Sequence, residues 1–349
     1  MDGFLLTENG KVFEGKLLGS HFPRTGELVF TTSMQGYTES VTDPSYAGQI
    51  LIFSFPLIGN YGFYPEHMES SNIWVNGVIA LEIYENGNFV NFLKMNNVPV
   101  LTGIDTRALI REITHTGSLI GIIYPGKPEN NLKDAENILL NTKNPNDLPL
   151  FSETASKKKI FYNGNGELNI ALIDLGVKNG ILNNLLRISN ITLIPYYEKF
   201  NPDEYDGIVI SNGPGNPSHN ELDSLVNSIK NFKEPVLGIC LGHQLIARSF
   251  NLKTYKMKFG HRGINHPVIY NGNVYITTHN HGFAVKADEK DEIIIDQIDL
   301  NDNTVEGFRH RYLPITGVQY HPESRPGTSD TRFIFENFKG AVIKFAKEQ

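Results

Sequence analysis

The spacing of hydrophobic and polar positions changes partway along the chain. Residues 1–145 carry short apolar runs broken by turn residues, which predicts a β-rich domain. The runs at 4–7 and 12–18 flank Glu8-Asn9-Gly10-Lys11, and Asn-Gly between two such runs signals a tight hairpin. Further strands are expected at 28–32, 49–55, 77–83 and 119–124, with loops at 33–37, 42–46 and 59–71. A helix is predicted over 106–113, because Asp105 stands at its start, Gly117 lies beyond its end, and Leu109 and Ile113 share a face. Arg107 and Arg111 on the other face read as solvated charges, and a second helix is expected at 132–140.

Residues 146–167 are dominated by Asn, Pro, Ser, Lys and Gly and read as a linker. The domain expected over 168–349 then alternates. Strands are predicted at 169–174, 191–195, 206–211 and 236–239, with helices at 180–188, 219–232 and 241–250. Repeated units of this size predict a largely parallel sheet with right-handed crossovers. Its ligands are expected beyond the carboxyl ends of the strands. The rhythm ends as antiparallel: runs at 268–270 and 274–277 flank Asn271-Gly272-Asn273, with strands at 305–309 and 315–320. A helix from 329 to 347 carries Phe335, Phe338, Val342 and Phe345 as a core stripe. The predicted class is α/β, a β-rich α+β domain followed by a mixed, largely parallel one.

Composition narrows the function. The net charge of −7 argues against nucleic acid or an anionic membrane as the main partner. No apolar run approaches the roughly 18 residues that span a bilayer. The first residues lack the basic region and apolar core of a signal peptide. A single cysteine permits no internal disulfide and fits a reducing, cytoplasmic setting.

That cysteine sits in Gly238-Ile239-Cys240-Leu241-Gly242, where a predicted strand meets a predicted helix. Glycines two places to either side permit the cramped turn that lifts a nucleophile out of the chain, with sulfur in place of the usual serine oxygen. A thiol of ordinary pKa needs a base, and His321-Pro322-Glu323 follows another predicted strand. Its spacing lets Glu323 orient the imidazole, giving nucleophile, base and orienter. The N–H of Leu241 is an expected oxyanion donor, and Ser211-Asn212-Gly213-Pro214-Gly215-Asn216-Pro217 could supply a second or be a plain turn. Gln244 could bind a polar substrate head. His243, two residues past the elbow, is expected to be structural rather than a rival base. His279 and His281 alternate like zinc ligands, but no further spaced ligand pair accompanies them, so no metal is expected. Neither a P-loop nor a Gly-x-Gly-x-x-Gly fingerprint is present.

Gly238-Ile239-Cys240-Leu241-Gly242-His243-Gln244 with His321-Pro322-Glu323 resembles the class I (triad) glutamine amidotransferase domain. Ser211-Asn212-Gly213-Pro214-Gly215, Lys256-Met257-Lys258-Phe259-Gly260-His261 and Asn280-His281-Gly282-Phe283 extend the likeness to the small, glutamine-hydrolysing subunits of carbamoyl-phosphate synthases. Thr32-Ser33-Met34-Gln35-Gly36-Tyr37, Thr42-Asp43-Pro44-Ser45-Tyr46 and Gly103-Ile104-Asp105-Thr106-Arg107 do the same for the N-terminal half. The resemblance implies that Cys240 attacks glutamine, with His321 and Glu323 as its partners. It also implies glutamine contacts at Ser45, Gly213, Gly215, Leu241, Gln244, Asn280, Gly282 and Phe283. It implies no cofactor on this chain; ammonia would pass to a large subunit that uses bicarbonate and ATP with Mg. Two departures stand out: Gly180 where the family has Asn, and no Arg-Asp in Ile79-Ala80-Leu81-Glu82-Ile83-Tyr84. The alternatives are a stand-alone hydrolase of γ-glutamyl bonds and an amidotransferase serving a synthase for anthranilate or GMP.

Overall fold

The hairpin around Asn9-Gly10 is one corner of a closed barrel. Strand Asp2–Thr7 pairs antiparallel with Val12–Gly19, Leu6 facing Val12, and Gly10 turns the chain at a φ of 83°. In the computed structural model, which describes residues 1–287 and 291–348, the chain divides into two units, Met1–Leu150 and Phe151–Gln349. In the first, the barrel runs in the order Asp2–Thr7, Val12–Gly19, Pro99–Thr102, Gly77–Ile79, Gln49–Phe53, Arg24–Thr31 and Leu119–Pro125. The pairings among Arg24–Thr31, Gln49–Phe53, Gly77–Ile79 and Pro99–Thr102 are parallel, and the others antiparallel.

The helix Thr106–Thr116 starts as its sequence predicts: the Asp105 side chain accepts from the Ala108 N–H at 2.9 Å, and Gly117 ends it at a φ of 103°. Leu109 and Ile113 are buried, while Arg107 and Arg111 are exposed. Elsewhere local pattern misleads. The expected loops at 33–37 and 42–46 are partly a short helix, Tyr37–Thr42, and a single 3-10 turn, Pro44–Tyr46. The expected strand 77–83 is two short ones, Gly77–Ile79 and Glu82–Ile83. Helix Asn88–Met95 and strand Pro99–Thr102 had no clear signal. That helix buries Phe89, Val90 and Leu93 against Val29, Leu51, Val78 and Val100, which come from four neighbouring barrel strands. Its stability comes from that shared face more than from its own propensities.

In the second unit ten strands form one sheet. Its parallel centre is Asn190–Pro195, Asn169–Asp174, Gly207–Ile210, Val236–Ile239 and Ile315–Val318, with Ile160–Tyr162 antiparallel at one edge. Helices Asn179–Leu186, Asp223–Ile229 and Leu241–Ser249 make the crossovers. Beyond Ile315–Val318 the sheet turns antiparallel through Val305–His310, Asn273–Val285, Thr254–Tyr270 and Ile293–Asp299. The hairpin at Asn271-Gly272 exists, but its strands are 17 and 13 residues long, far beyond the apolar runs that announce them. Segment 278–283, which carries two histidines, therefore lies inside a strand. The last helix, Phe333–Glu348, buries Phe335, Phe338 and Val342 and leaves Phe345 half-buried.

Candidate active site

Strand Val236–Ile239 is wholly buried at the centre of the sheet, and helix Leu241–Ser249 follows after one residue. That residue is Cys240, at a φ of 52° and a ψ of −103°. A non-glycine residue held there stores roughly 1–3 kcal/mol of backbone strain. Two close approaches hold it. A Cβ on Gly238 would stand 2.7 Å from the Gly242 carbonyl, and one on Gly242 would stand 2.1 Å from the carbonyl oxygen of Ile210. Only glycine lets the helix start so close to the neighbouring strand. The Cys240 N–H donates to Val318 O at 2.9 Å, tying the elbow's backbone to the strand that leads to His321.

His321 and Glu323 are fully buried just past that strand. The His321 backbone N–H donates to Thr278 O at 2.8 Å, and its ring Nδ1 lies 2.8 Å from Glu323 Oε1. A carboxylate only accepts, so Nδ1 carries the proton. The same oxygen accepts from Lys178 Nζ at 2.7 Å, and Lys178 also donates to Arg325 O at 2.7 Å. Burial pulls the imidazole down, the Glu323 carboxylate pulls it up against the nearby Lys178 charge, and the Cys240 thiol adds to the rise. The net result is about 10. Burial pushes Glu323 up, but Lys178 and His321 outweigh it and hold the carboxyl well below the usual range. An imidazolium is thus maintained through neutral pH, next to the Cys240 thiol. His321 Nε2 makes no well-aligned hydrogen bond; in enzymes such bonds often tighten only once substrate is bound.

Cys240 Sγ donates to Asn280 O at 3.8 Å and accepts from Gln319 Nε2 at 3.6 Å. Gln319 Oε1 in turn accepts from Gln244 Nε2 at 2.9 Å, and Gln244 also donates to Phe283 O at 2.8 Å. Leu241 is the first helical residue, so its N–H has no acceptor within the helix. The 211–217 loop is stitched to this helix by the Gly242 N–H, which donates to Ser211 O at 3.0 Å. Within the loop a Cβ on Gly213 would stand 2.3 Å from Leu175 O, and Gly215 has a φ of 91°. Gly282 faces the Lys256 and Arg262 side chains, its Cβ position lying 2.9 Å from Lys256 Nζ. Cys240, Leu241, Gln244, Asn280, Phe283, His321 and Glu323 are therefore linked by direct contacts or adjacency. Ser45 belongs to the N-terminal unit, where it is buried and its N–H donates to Asp43 Oδ1 at 2.9 Å.

His243 is fully buried against Phe308, the ring centres 4.6 Å apart, and burial pushes it down to about 3. It is a neutral packing group, as its place two residues past the elbow suggests. Sequence reasoning overlooked Lys178 and Gln319. Lys178 closes the Asp174-Leu175-Gly176-Val177-Lys178 run after a central strand, but nothing local says that its charge is buried. Gln319 shares its strand parity with His321, which was the available hint.

A family profile described as "Glutamine amidotransferase class-I" matches residues 171–341, and one described as "Carbamoyl-phosphate synthase small chain, CPSase domain" matches residues 5–123. The carbamoyl phosphate synthase small chain of Caldanaerobacter subterraneus is 41% identical over 99% of this chain and 98% of its own length. The chain belongs to the carbamoyl phosphate synthase small chain family. The small chain of Clostridium perfringens is likewise 41% identical, over 97% of this chain and 99% of its own. A solved Thermoplasma acidophilum protein, provisionally described as one subunit of a GMP synthase, is 25% identical over 52% of this chain and 97% of its own, with a TM-score of 0.45. The family likeness spans both units, and in this small chain Asn179 opens the helix that carries the departing Gly180, which is buried. Among the described residues no helix is long and apolar enough to cross a membrane.

Proposed function

We propose that this chain hydrolyses glutamine and supplies the ammonia to the large subunit of a carbamoyl-phosphate synthase. One observation carries the chemistry: the lone cysteine stands at positive φ, its N–H tied to the strand that delivers His321 and Glu323. Cys240 Sγ attacks the side-chain amide carbon, and His321 holds the proton the thiol gives up. The Leu241 N–H faces the developing oxyanion, with the glycine loop at 213–215 as the second source of donors. The C–N bond breaks as His321 returns the proton to the leaving ammonia, and a glutamyl thioester remains. Water then adds, His321 takes its proton, the S–C bond breaks and glutamate leaves. Glu323 keeps Nδ1 protonated throughout, so that Nε2 does the exchanging. Gln244 and the carbonyl-rich segment at 280–283 line the substrate's side.

The delivery of ammonia rests on the relatives, which match end to end and are named as small chains of that synthase. The large subunit would bring bicarbonate and ATP with Mg; this chain's half-reaction requires neither. The test is the complex with its large subunit, assayed with glutamine and with ammonia. Cys240→Ser should abolish glutamine-dependent synthesis of carbamoyl phosphate and leave ammonia-dependent synthesis intact. Glutamine still serving as donor in that variant would sink the nucleophile assignment. Full glutaminase turnover by the isolated chain, unchanged by the large subunit, would favour a stand-alone hydrolase instead.

A further inference from the structure

Strand Asn273–Val285 has two faces. His279 and His281 share one, and the thiol-facing segment's Asn280 and Gly282 share the other. On the histidine face, His261 stands directly across the pairing from His281, and Glu306 reaches in from strand Val305–His310. All four side chains are buried, and one ligand-type atom from each lies within 4.8 Å of every other.

The outer hydrogen bonds fix which atoms face inward. His281 Nδ1 lies 2.9 Å from Phe283 O, and a carbonyl only accepts, so Nδ1 holds the proton and Nε2 a lone pair. The Thr277 hydroxyl donates to His266 O at 2.8 Å, so it accepts from His279 Nε2 at 2.6 Å and leaves Nδ1 as a lone pair. His261 Nε2 lies 3.0 Å from Asp302 Oδ2 and donates to it, which in the neutral ring leaves Nδ1 as a lone pair; Nδ1 has no hydrogen-bond partner. Glu306 Oε1 accepts from Thr304, and Oε2 has no hydrogen-bond partner. With the three rings neutral and Glu306 ionised, the state that a metal ion would require, four lone pairs converge. His279 Nδ1 is 3.0 Å from His281 Nε2 and 3.5 Å from Glu306 Oε2, and His261 Nδ1 is 3.8 Å from Glu306 Oε1.

We propose that His261, His279, His281 and Glu306 form a closed, four-coordinate site for a zinc ion. Ligands about 2.0–2.1 Å from a tetrahedral zinc stand about 3.3 Å apart; the separations of 3.0, 3.5 and 3.8 Å lie close to that, and the remaining ones, all within 4.8 Å, would close on binding. Each histidine already gives its outer N–H to an oxygen, the arrangement that orients metal-binding imidazoles. Three neutral imidazoles and a carboxylate suit a borderline cation such as Zn²⁺ better than Mg²⁺ or Ca²⁺. A neighbouring trio, His261, His266 and Asp299, shares His261, but His266 Nδ1 already faces Asp299 Oδ2 at 3.2 Å. The role would be structural: the ion would hold the strand whose Asn280 carbonyl touches the nucleophile.

The full chain, stripped with a chelator and titrated with Zn²⁺ and then with Co²⁺ as a spectroscopic substitute, tests the site. One equivalent should bind, and Co²⁺ should give the intense visible bands of a four-coordinate centre. His279→Gln and Glu306→Gln should each weaken binding by at least about tenfold. Asp299→Asn should leave it unchanged. Absence of stoichiometric binding to the unmodified chain, or only the weak bands of six-coordinate Co²⁺, overturns the proposal even if a variant fails to fold. Binding that survives both ligand variants but is lost in Asp299→Asn places the ion in the neighbouring trio and overturns it equally.

Discussion

Lys178 and His321 donate to the same oxygen: Glu323 Oε1 lies 2.7 Å from the lysine Nζ and 2.8 Å from the imidazole Nδ1. A buried carboxylate shared by two cations differs from the simple orienter of a triad. Lys178 stabilises Glu323 as an anion while opposing the positive charge on His321.

Removing the carboxylate should expose that competition. In Glu323→Gln, burial and Lys178 both act to lower the imidazole, so His321 should be neutral at pH 7. Because Cys240 is the only thiol, iodoacetamide alkylation reports on it alone. Its rate at pH 7 should fall at least about tenfold in the variant. An unchanged rate would mean that the imidazolium does not assist the sulfur. The stability profile follows the same sign. A folded-state value of about 10 lies above the ordinary imidazole range, so its contribution is complete below about pH 6.5 and fades as pH rises through 10. Urea midpoints of the native chain should decline over that window, and those of Glu323→Gln should not.

Lys178→Met tests the other cation. It leaves a buried carboxylate with one partner, which typically costs about 3–5 kcal/mol. The urea midpoint should drop accordingly, and glutaminase activity should fall in preparations that remain folded. A loss below about 1 kcal/mol would show the lysine to be no more than a surface-like pair.

The elbow predicts an unusual order of stability. Alanine at position 240 inherits the strained φ and ψ, whereas glycine adopts them freely. Cys240→Gly should therefore unfold at the same urea concentration as Cys240→Ala or a higher one, despite the extra freedom glycine gives the unfolded chain. Glycine less stable by about 1 kcal/mol, as in an ordinary helix, would show that the strain is absent.

Gln319→Met keeps the volume but removes the amide between Cys240 and Gln244. Gln244 then loses the acceptor for one N–H, at a cost of about 1–3 kcal/mol if nothing replaces it. The expected signature is a rise in KM for glutamine larger than any loss in kcat. If only kcat fell, Gln319 would act on the sulfur rather than on Gln244.

How far the sequence revealed these features depends on how far apart the interacting groups lie. The elbow was legible because its strand, two glycines and helix are contiguous, and His321-Pro322-Glu323 because its spacing is local. Helix 106–116 was legible through Asp105 and Gly117. Strand Pro99–Thr102 was not, because its four residues become a strand only through partners at 16–19 and 78–79. Lys178 and Glu323 meet across 145 positions, and no window of sequence contains both. The clustering of the histidines was hidden for the same reason: two alternate along one strand, and His261 and Glu306 arrive from its neighbours.

Strand Asn273–Val285, with Asn280 and Gly282 on one face and His279 and His281 on the other, also sets a limit on how this chain can tolerate change in length. Losing or gaining one residue just before 279 would rotate every following side chain to the opposite side of the sheet. Imidazoles would then turn toward the thiol and Asn280 toward Glu306. Substitutions along this strand can be graded in their effects, but a single-residue insertion or deletion cannot.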